Sequence, residues 1–425
     1  MINQFAESRW RQMRLWHDSM KAMSRHEESG PLSVLIVNAN PTSQIMTGRL
    51  CERMRTRGLS ARVMTKAADG SWHCADSPSD WRLLLGLANS AERFRGNAVK
   101  AFFKTVSCYR QLLRQQDPKF IDAVLLYDDG AIFNRAVAEW GRKQDLPVFL
   151  VPESGGAAVG SVPSRYWSTR QRIMRRLVGL SGARFAPSNA EGIASSYLCA
   201  PNAYFSRVQR KVMKRRQIHA ITGSPLYDGA VAKPLRPVGS NKSVLFIHQW
   251  GLFGYPLYEN YIRSLAKAAA HTLNLSLTIK AHPRSPPEDM ARLEIIAELY
   301  KEGGRVKLDN ISDSEKIVGD HDVAVSAFSA TVNRAVLEGV PVVLLEGLSD
   351  RETKVSLVEF GGAVAVNQPA ALSDAVMELV YDEKSRIAWH ERVRRRVIPE
   401  MFLGLDGKAA DRIVQFITST VSHSP

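Results

Sequence analysis

Ser33-Val34-Leu35-Ile36-Val37, followed by Asn38-Ala39-Asn40-Pro41, is the stretch on which the fold turns. A short apolar run without polar alternation suits a strand buried on both faces, as strands of parallel sheets are. A helix is expected from about Ile45 to Arg57, and Ala61-Arg62-Val63-Met64 then reads as a second strand. Strand, loop, helix, strand is the opening of a doubly wound α/β domain. The loop holds no GxGxxG, so the usual dinucleotide fingerprint is missing.

The same grammar continues outward. Residues 78–117 read as helices, and Ala123-Val124-Leu125-Leu126 forms the heart of a strand over 121–127. That strand runs into Tyr127-Asp128-Asp129-Gly130 and a helix from Ala131 to Lys143. Val148-Phe149-Leu150-Val151 is the next strand, ending at Pro152-Glu153-Ser154-Gly155-Gly156, and a last strand and turn covers Ile218 to Pro225. Pro234, Pro237, Gly239 and Ser240 mark residues 231–243 as a linker. Beyond it the pattern restarts: strands at Ser243–Ile247, Ser276–Lys280, Asp322–Val325 and 341–345, with a helix near 257–271. The predicted architecture is α/β: two Rossmann-like, doubly wound domains, residues 31–230 and 244–398, facing a central cleft. A basic helix (1–30) precedes them, and a final helical segment (399–425) follows.

Composition agrees with that plan. A chain of 425 residues is too long for one ordinary core, and 45% hydrophobic with 23% charged residues suits a water-soluble protein. The longest apolar runs fall far short of the roughly 20 residues of a membrane span, and no apolar h-region follows Met1. Lys and Arg outnumber Asp and Glu by 57 − 42 = 15. A basic excess points to an anionic partner, although a solvated basic face would look the same. Trp10, Trp16, Met13, Met20 and Met23, interspersed with Arg9, Arg11, Arg14 and Lys21, suit a helix packed on the body or lying on an anionic membrane surface. Cys51, Cys74, Cys108 and Cys199 show no metal-like spacing and read as reduced thiols, so a cytoplasmic setting is expected.

Three strand ends carry candidate chemistry. Asp128 and Asp129 are adjacent carboxylates where loops of open α/β sheets line a ligand crevice. Each charge raises its neighbour's pKa, which suits proton abstraction. His282-Pro283 follows a strand in the second domain, flanked by Lys280 and Arg284, and suits a contact with a phosphate oxygen; a simple loop cap is the plainer reading. Ser326, Ser329 and Thr331 open a helix that runs to Glu338, either as ordinary N-caps or as anion ligands. With no DxD and no His or Cys cluster, neither metal nor cofactor is expected.

Tyr127-Asp128-Asp129-Gly130, Lys280-Ala281-His282-Pro283 and the Ser326/Ser329 loop resemble, in order, three signatures of bacterial sialyltransferases and polysialyltransferases of the GT-B fold. The third motif, Ser326-Ala327-Phe328-Ser329, departs from the family's strict Ser-Ser or Ser-Thr pair. The resemblance implies Asp128 as general base for an acceptor hydroxyl, His282 as phosphate ligand or acid, and Ser326 and Ser329 as phosphate ligands. Asp129 is expected to share in catalysis, Gly130 to lie near the acceptor or donor sugar, and Pro283, Lys280, Thr331 and Glu338 to lie around the nucleotide phosphate. A more distant resemblance links Val151–Gly156, Phe185–Ser188 and Thr222–Pro225 to UDP-N-acetylglucosamine 2-epimerases and surface-polysaccharide transferases, also GT-B. There the epimerase pattern is broken, since His248-Gln249-Trp250-Gly251 replaces a His-Arg sequence followed by Glu-Asn.

The expectation is an inverting, metal-independent glycosyltransferase. It would move sialic acid, another nonulosonate or Kdo from a CMP-sugar to a bacterial capsule or lipopolysaccharide-type glycan, or to a lipid-linked acceptor at the inner membrane. Glu153 and His248 are placed near the acceptor or the donor sugar, Glu153 being equally readable as a surface loop acid. Rival expectations are a UDP-sugar transferase or epimerase-like enzyme, and a basic nucleic-acid-binding protein. The last rests on Arg170–Arg176 and Arg207–Arg216 alone, with no nucleic-acid motif.

Overall fold

The computed structural model describes residues 31–38, 41–66, 72–74, 121–127, 132–152, 158–159, 195–212, 217–283, 285–327, 329–348 and 354–422. The first domain contributes β1 (Ser33–Asn38), β2 (Ser60–Lys66), β3 (Trp72–Cys74), β4 (Ala123–Leu126), β5 (Val148–Leu150), β6 (Ala158–Val159), β7 (Tyr197–Ala200) and β8 (Ile218–Ile221). The second contributes β9 (Lys242–Ile247), β10 (Leu275–Lys280), β11 (Val306–Asp309), β12 (Val323–Ser326), β13 (Val342–Leu345), β14 (Lys354–Val355) and β15 (Val364–Val366). Helices used below are α1 (Pro41–Thr56), α2 (Ile132–Lys143), α3 (Ala203–Val212), α4 (Pro256–His271), α5 (Pro287–Leu299), α6 (Thr331–Leu337), α7 (Pro369–Tyr381), α8 (Glu383–Arg392) and α9 (Ala409–Val421).

Among the described residues the first sheet runs β3-β2-β1-β4-β5-β7-β8 and the second β11-β10-β9-β12-β13-β15. Every pair is parallel except β2 with β3. In each sheet the first strand of its domain lies centrally, with the second strand on one side and a later one on the other. That reversal of winding direction creates a switch point, between β1 and β4 in one sheet and between β9 and β12 in the other. The two-domain α/β reading of the sequence therefore holds.

The two switch points are built alike. In the first domain Asp122 N–H donates to Ser33 O at 2.8 Å, while Ser33 N–H donates to Asp122 Oδ2 at 2.6 Å. In the second, Asp322 N–H donates to Ser243 O at 2.8 Å, Ser243 N–H donates to Asp322 Oδ2 at 2.8 Å, and Ser243 Oγ adds a bond to the same oxygen at 3.0 Å. Buried Arg386 on α8 then donates to Asp322 O, Leu379 O and Arg236 O at 3.1, 2.9 and 2.8 Å, fixing α7 and the linker to the foot of the sheet.

Residues 228–241, which join the domains, contain neither helix nor strand. Gly339 (φ 72°) lets this segment pass close over the end of α6, where a Cβ would run into the Pro234 carbonyl oxygen. At the other end of the chain α9 lies on the first domain. Its Ala410, Ile413, Val414 and Ile417 share a core with Val34, Ile36, Met46, Leu50 and Met54. Phe416 meets Phe149 and Tyr197 edge-on at 5.5 and 5.8 Å. The Asp228 carboxylate caps α9 with both oxygens, accepting from Ala409 N–H at 2.9 Å and Ala410 N–H at 2.8 Å. A two-stranded antiparallel pairing of β6 with β14 joins the domains elsewhere.

Asp322→Ala removes the buried acceptor of two part-buried donors and the partner of Arg236, 3.6 Å away. Since a buried donor left unmade costs about 1–3 kcal/mol, urea unfolding is expected to show a loss of about 2–4 kcal/mol. Asp322→Asn, which keeps one acceptor oxygen, is expected to lose about half as much. Equal stability of Asp322→Ala and the parent would overturn this account of the clasp.

Candidate functional site

The tips of β10, β9 and β12 form one row, because Lys280 and Ser326 both stand in register with Ile247. The ladder goes one residue further, with His248 N–H donating to Lys280 O at 2.9 Å. Lys280, His248 and Ser326 thus stand along one row of tips beside the second switch point, with His282 two residues beyond Lys280. Asp128, Asp129, Gly130 and Glu153 follow tips of the first sheet but lie outside the described residues. Tyr127, just before them, is buried and its hydroxyl accepts from Thr47 Oγ1 at 2.9 Å.

Several of these polar groups serve the strand tips themselves. Lys280 is buried, and its ammonium donates to Ala281 O at 2.8 Å and Asp309 O at 3.3 Å, tying β10 to β11. Burial lowers its pKa, against the opposing charges of Asp309 and Asp313. Ser326 Oγ donates to Ile247 O at 3.2 Å, across the switch point. Ser329 Oγ accepts from Thr331 N–H at 3.2 Å, and Thr331 Oγ1 lies 3.2 Å from Ser314 Oγ. Glu338 stands at the opposite end of α6 from these hydroxyls, paired with Lys233 and Arg334. Pro283 is exposed and His282 half-buried beside it.

His248 is different. The ring is fully buried, packed against Phe253 and Tyr258 with centroids 5.3 and 5.6 Å away. Its Nδ1 lies 2.9 Å from the Tyr258 hydroxyl, which accepts from Gln249 N–H at 3.1 Å. Burial pushes the Tyr258 phenol upward, so it keeps its proton, and Nδ1 is the acceptor for it. The neutral ring therefore carries its own proton on Nε2. That nitrogen is buried with no hydrogen-bond partner and sits 3.7 Å from Asp289 Oδ2. Asp289 meanwhile accepts from Gly251 N–H at 3.1 Å. Burial first, and the nearby charge of His282 second, push the His248 imidazole down to about 4. The arrangement can offer a neutral imidazole N–H donor beside a second histidine.

Tyr258 and Asp289 were not foreseen from the sequence. Their signals are weak: a Tyr inside the helix after the His248 loop, and an acid in the first turn of the helix after His282-Pro283. Among the described residues no three His, Cys, Asp or Glu side chains group as a metal-ligand set, and no helix is long and apolar enough to cross a membrane.

No protein-family model matches the chain, and no curated protein matches it. Solved structures do. An S. aureus MnaA–UDP co-structure is similar with a TM-score of 0.57 at 15% identity, over 90% of this chain and 95% of that one. A putative UDP-N-acetylglucosamine 2-epimerase from Listeria monocytogenes gives 0.56 at 15% identity, over 91% and 95%. An α,α-trehalose 6-phosphate synthase from Burkholderia multivorans gives 0.56 at 11% identity, over 92% and 97%. These likenesses extend over both domains, and the fold is GT-B.

The depressed His248 pKa has a stability consequence. An unfolded imidazole titrates near 6.5, so between about pH 6.5 and 4 the unfolded chain binds more protons than the folded one. Stability therefore falls as pH drops through that window and levels off below it. For His248 the loss between pH 7 and pH 5 is about 2 kcal/mol. Half-buried His219, lowered to about 4 by burial and then by Arg210, acts in the same direction. Urea unfolding of His248→Gln at the two pH values is expected to show a drop smaller than the parent's by about 2 kcal/mol. An undiminished drop would refute the assignment.

Proposed function

We propose that the chain is a nucleotide-sugar enzyme, a UDP-sugar-dependent glycosyltransferase working in the crevice between its two domains. The observation that carries this is the buried Nε2–H of His248, which makes no hydrogen bond and lies 3.7 Å from Asp289 Oδ2, beside His282 at the switch point of the second sheet. In open α/β sheets ligands bind outside the carboxyl ends of strands at such points. The choice of uridine draws on solved structures of the same fold that hold UDP or UDP-GlcNAc.

In this reading the second domain holds the nucleotide, with His282 donating to a phosphate oxygen and Ser329 and Thr331 nearby. Asp128, from the first domain, takes the proton of an acceptor hydroxyl. The hydroxyl oxygen attacks the anomeric carbon, the bond from that carbon to the phosphate oxygen breaks, and the nucleotide leaves with the electron pair. A charge balance of +15 suits an acidic glycan or a lipid-linked acceptor on an anionic membrane. Epimerase chemistry is the less favoured variant, because Gln249-Trp250-Gly251 replaces the basic and acidic residues of that pattern. Transfer of an acidic sugar from a CMP donor is the second reading, favoured by the ordered Asp128-Asp129-Gly130, His282-Pro283 and Ser326/Ser329 motifs.

Calorimetric titration with UDP and CMP, followed by turnover with panels of UDP-sugars and CMP-sugars, separates these readings. UDP is expected to bind at least about tenfold more tightly than CMP, a difference of about 1.4 kcal/mol. Asp128→Asn is expected to lose at least about a hundredfold in turnover with nucleotide affinity retained. Turnover of CMP-sugars alone would establish the second reading, and failure to bind either nucleotide would sink the enzyme reading.

A further inference from the structure

Trp250 stands immediately beyond the tip of β9 with 52% of its surface exposed. A single exposed Trp on a slack loop needs no explanation. This loop is not slack. Gln249 N–H donates to the buried hydroxyl of Tyr258 on α4, and Gly251 N–H donates to the buried carboxylate of Asp289 on α5, each at 3.1 Å. Gly251 takes the left-handed conformation (φ 80°) that makes the turn possible. Two side chains from two helices thus clamp the backbone on either side of an indole that the fold leaves uncovered. Burying a carboxylate to hold a loop costs free energy unless its charge is met. Among the described residues it is met by a backbone N–H and by the more distant Nε2 of His248.

Clamping the backbone here reduces the entropy lost when the indole makes a contact, since only the side-chain rotamers remain to be fixed. The place matters too. Trp250 follows the central strand of the tip row, between the strands that lead to His282 and Ser329, and a sugar bonded to a phosphate held there lies next to this loop. A pyranose ring offers an apolar C–H face of indole size with its hydroxyls at the rim. We propose that Trp250 is the stacking platform for the sugar ring of the nucleotide sugar, held in place by Tyr258 and Asp289. The inference rests on the nucleotide-sugar reading above.

The test compares wild type, Trp250→Ala and Trp250→Phe by calorimetry with UDP and with UDP-N-acetylglucosamine, UDP-glucose and UDP-galactose. Because the side chain is exposed, the variants are expected to fold, which far-UV circular dichroism checks. Trp250→Ala is expected to weaken UDP-sugar binding about fivefold to tenfold, to leave UDP within about twofold, and to be largely rescued by Phe. Equal weakening of UDP and UDP-sugars would assign the indole to the base and overturn the proposal. So would an unchanged ratio of the two affinities. Wild-type protein that binds UDP and UDP-sugars while Trp250→Ala matches it defeats this inference alone; wild-type protein that binds none of them defeats the nucleotide-sugar reading and the inference with it.

Discussion

The reciprocal bond between a serine that starts one strand and an aspartate that precedes another is the constraint on which both domains depend. It occurs twice, as Ser33 with Asp122 and as Ser243 with Asp322. Each clasp joins the feet of the two strands on either side of a switch point. The strands are parallel, so fixing their feet in register also fixes their tips, and the register pairs Ile247 with both Lys280 and Ser326. A slip of one residue would turn each strand's side chains to the opposite face. A carboxylate is well suited to the task, because it accepts from backbone and hydroxyl donors at once, and charged acceptors make the stronger hydrogen bonds.

At the second switch point the polar side chains divide by how they are satisfied. Lys280 donates to the carbonyl of Ala281 just past its own strand and to that of Asp309, and Ser326 to the carbonyl of Ile247 on the neighbouring tip, which stiffens the rim. His248 has one ring nitrogen committed to Tyr258 and the other without a hydrogen bond, 3.7 Å from Asp289 Oδ2. A buried donor without a partner costs about 1–3 kcal/mol, a cost most buried polar groups in this sheet avoid. Holding it on a neutral ring beside His282 makes sense if a ligand oxygen completes the bond, because two charged imidazoles so close would repel each other.

Much of the fold was legible because buried parallel strands write themselves as apolar runs, as β1, β4, β5, β9, β12 and β13 do, while β10 alternates Leu275, Leu277 and Ile279 with polar residues. Of the edge strands, only β8 was read from the sequence. β11 (Val306–Asp309) is buried only at Val306, and β3 and β15 are three residues each, too short for a periodic signal. β7 (Tyr197–Ala200) is four residues just ahead of α3, where the helical pattern hides it. The site was legible only where a polar residue follows such a run directly, as His248, His282 and Ser326 do. Tyr258 and Asp289 reach His248 from helices, and nothing local in the sequence marks that approach. Conversely, Lys280 read as a free cation beside His282, and only the tertiary structure reveals the two carbonyls that hold its ammonium.

The chain crosses between the domains twice, outward through residues 228–241 and back through Phe402 to Ala409. The two crossings are bound together, with Arg412 Nε donating to Thr222 O at 2.7 Å and its guanidinium meeting Asp406 at 2.6 Å. Asp228 on the outward crossing caps α9 on the return. Leu403 (φ 51°) and Leu405 (φ 56°) adopt left-handed backbone in the return segment. That conformation costs a non-glycine residue about 1–2 kcal/mol each. The strain persists because Phe402 is wedged against Tyr227 at 5.0 Å and α9 is locked into the first core. Any relative movement of the domains must therefore carry these two joined crossings together, and the β6–β14 pairing with them.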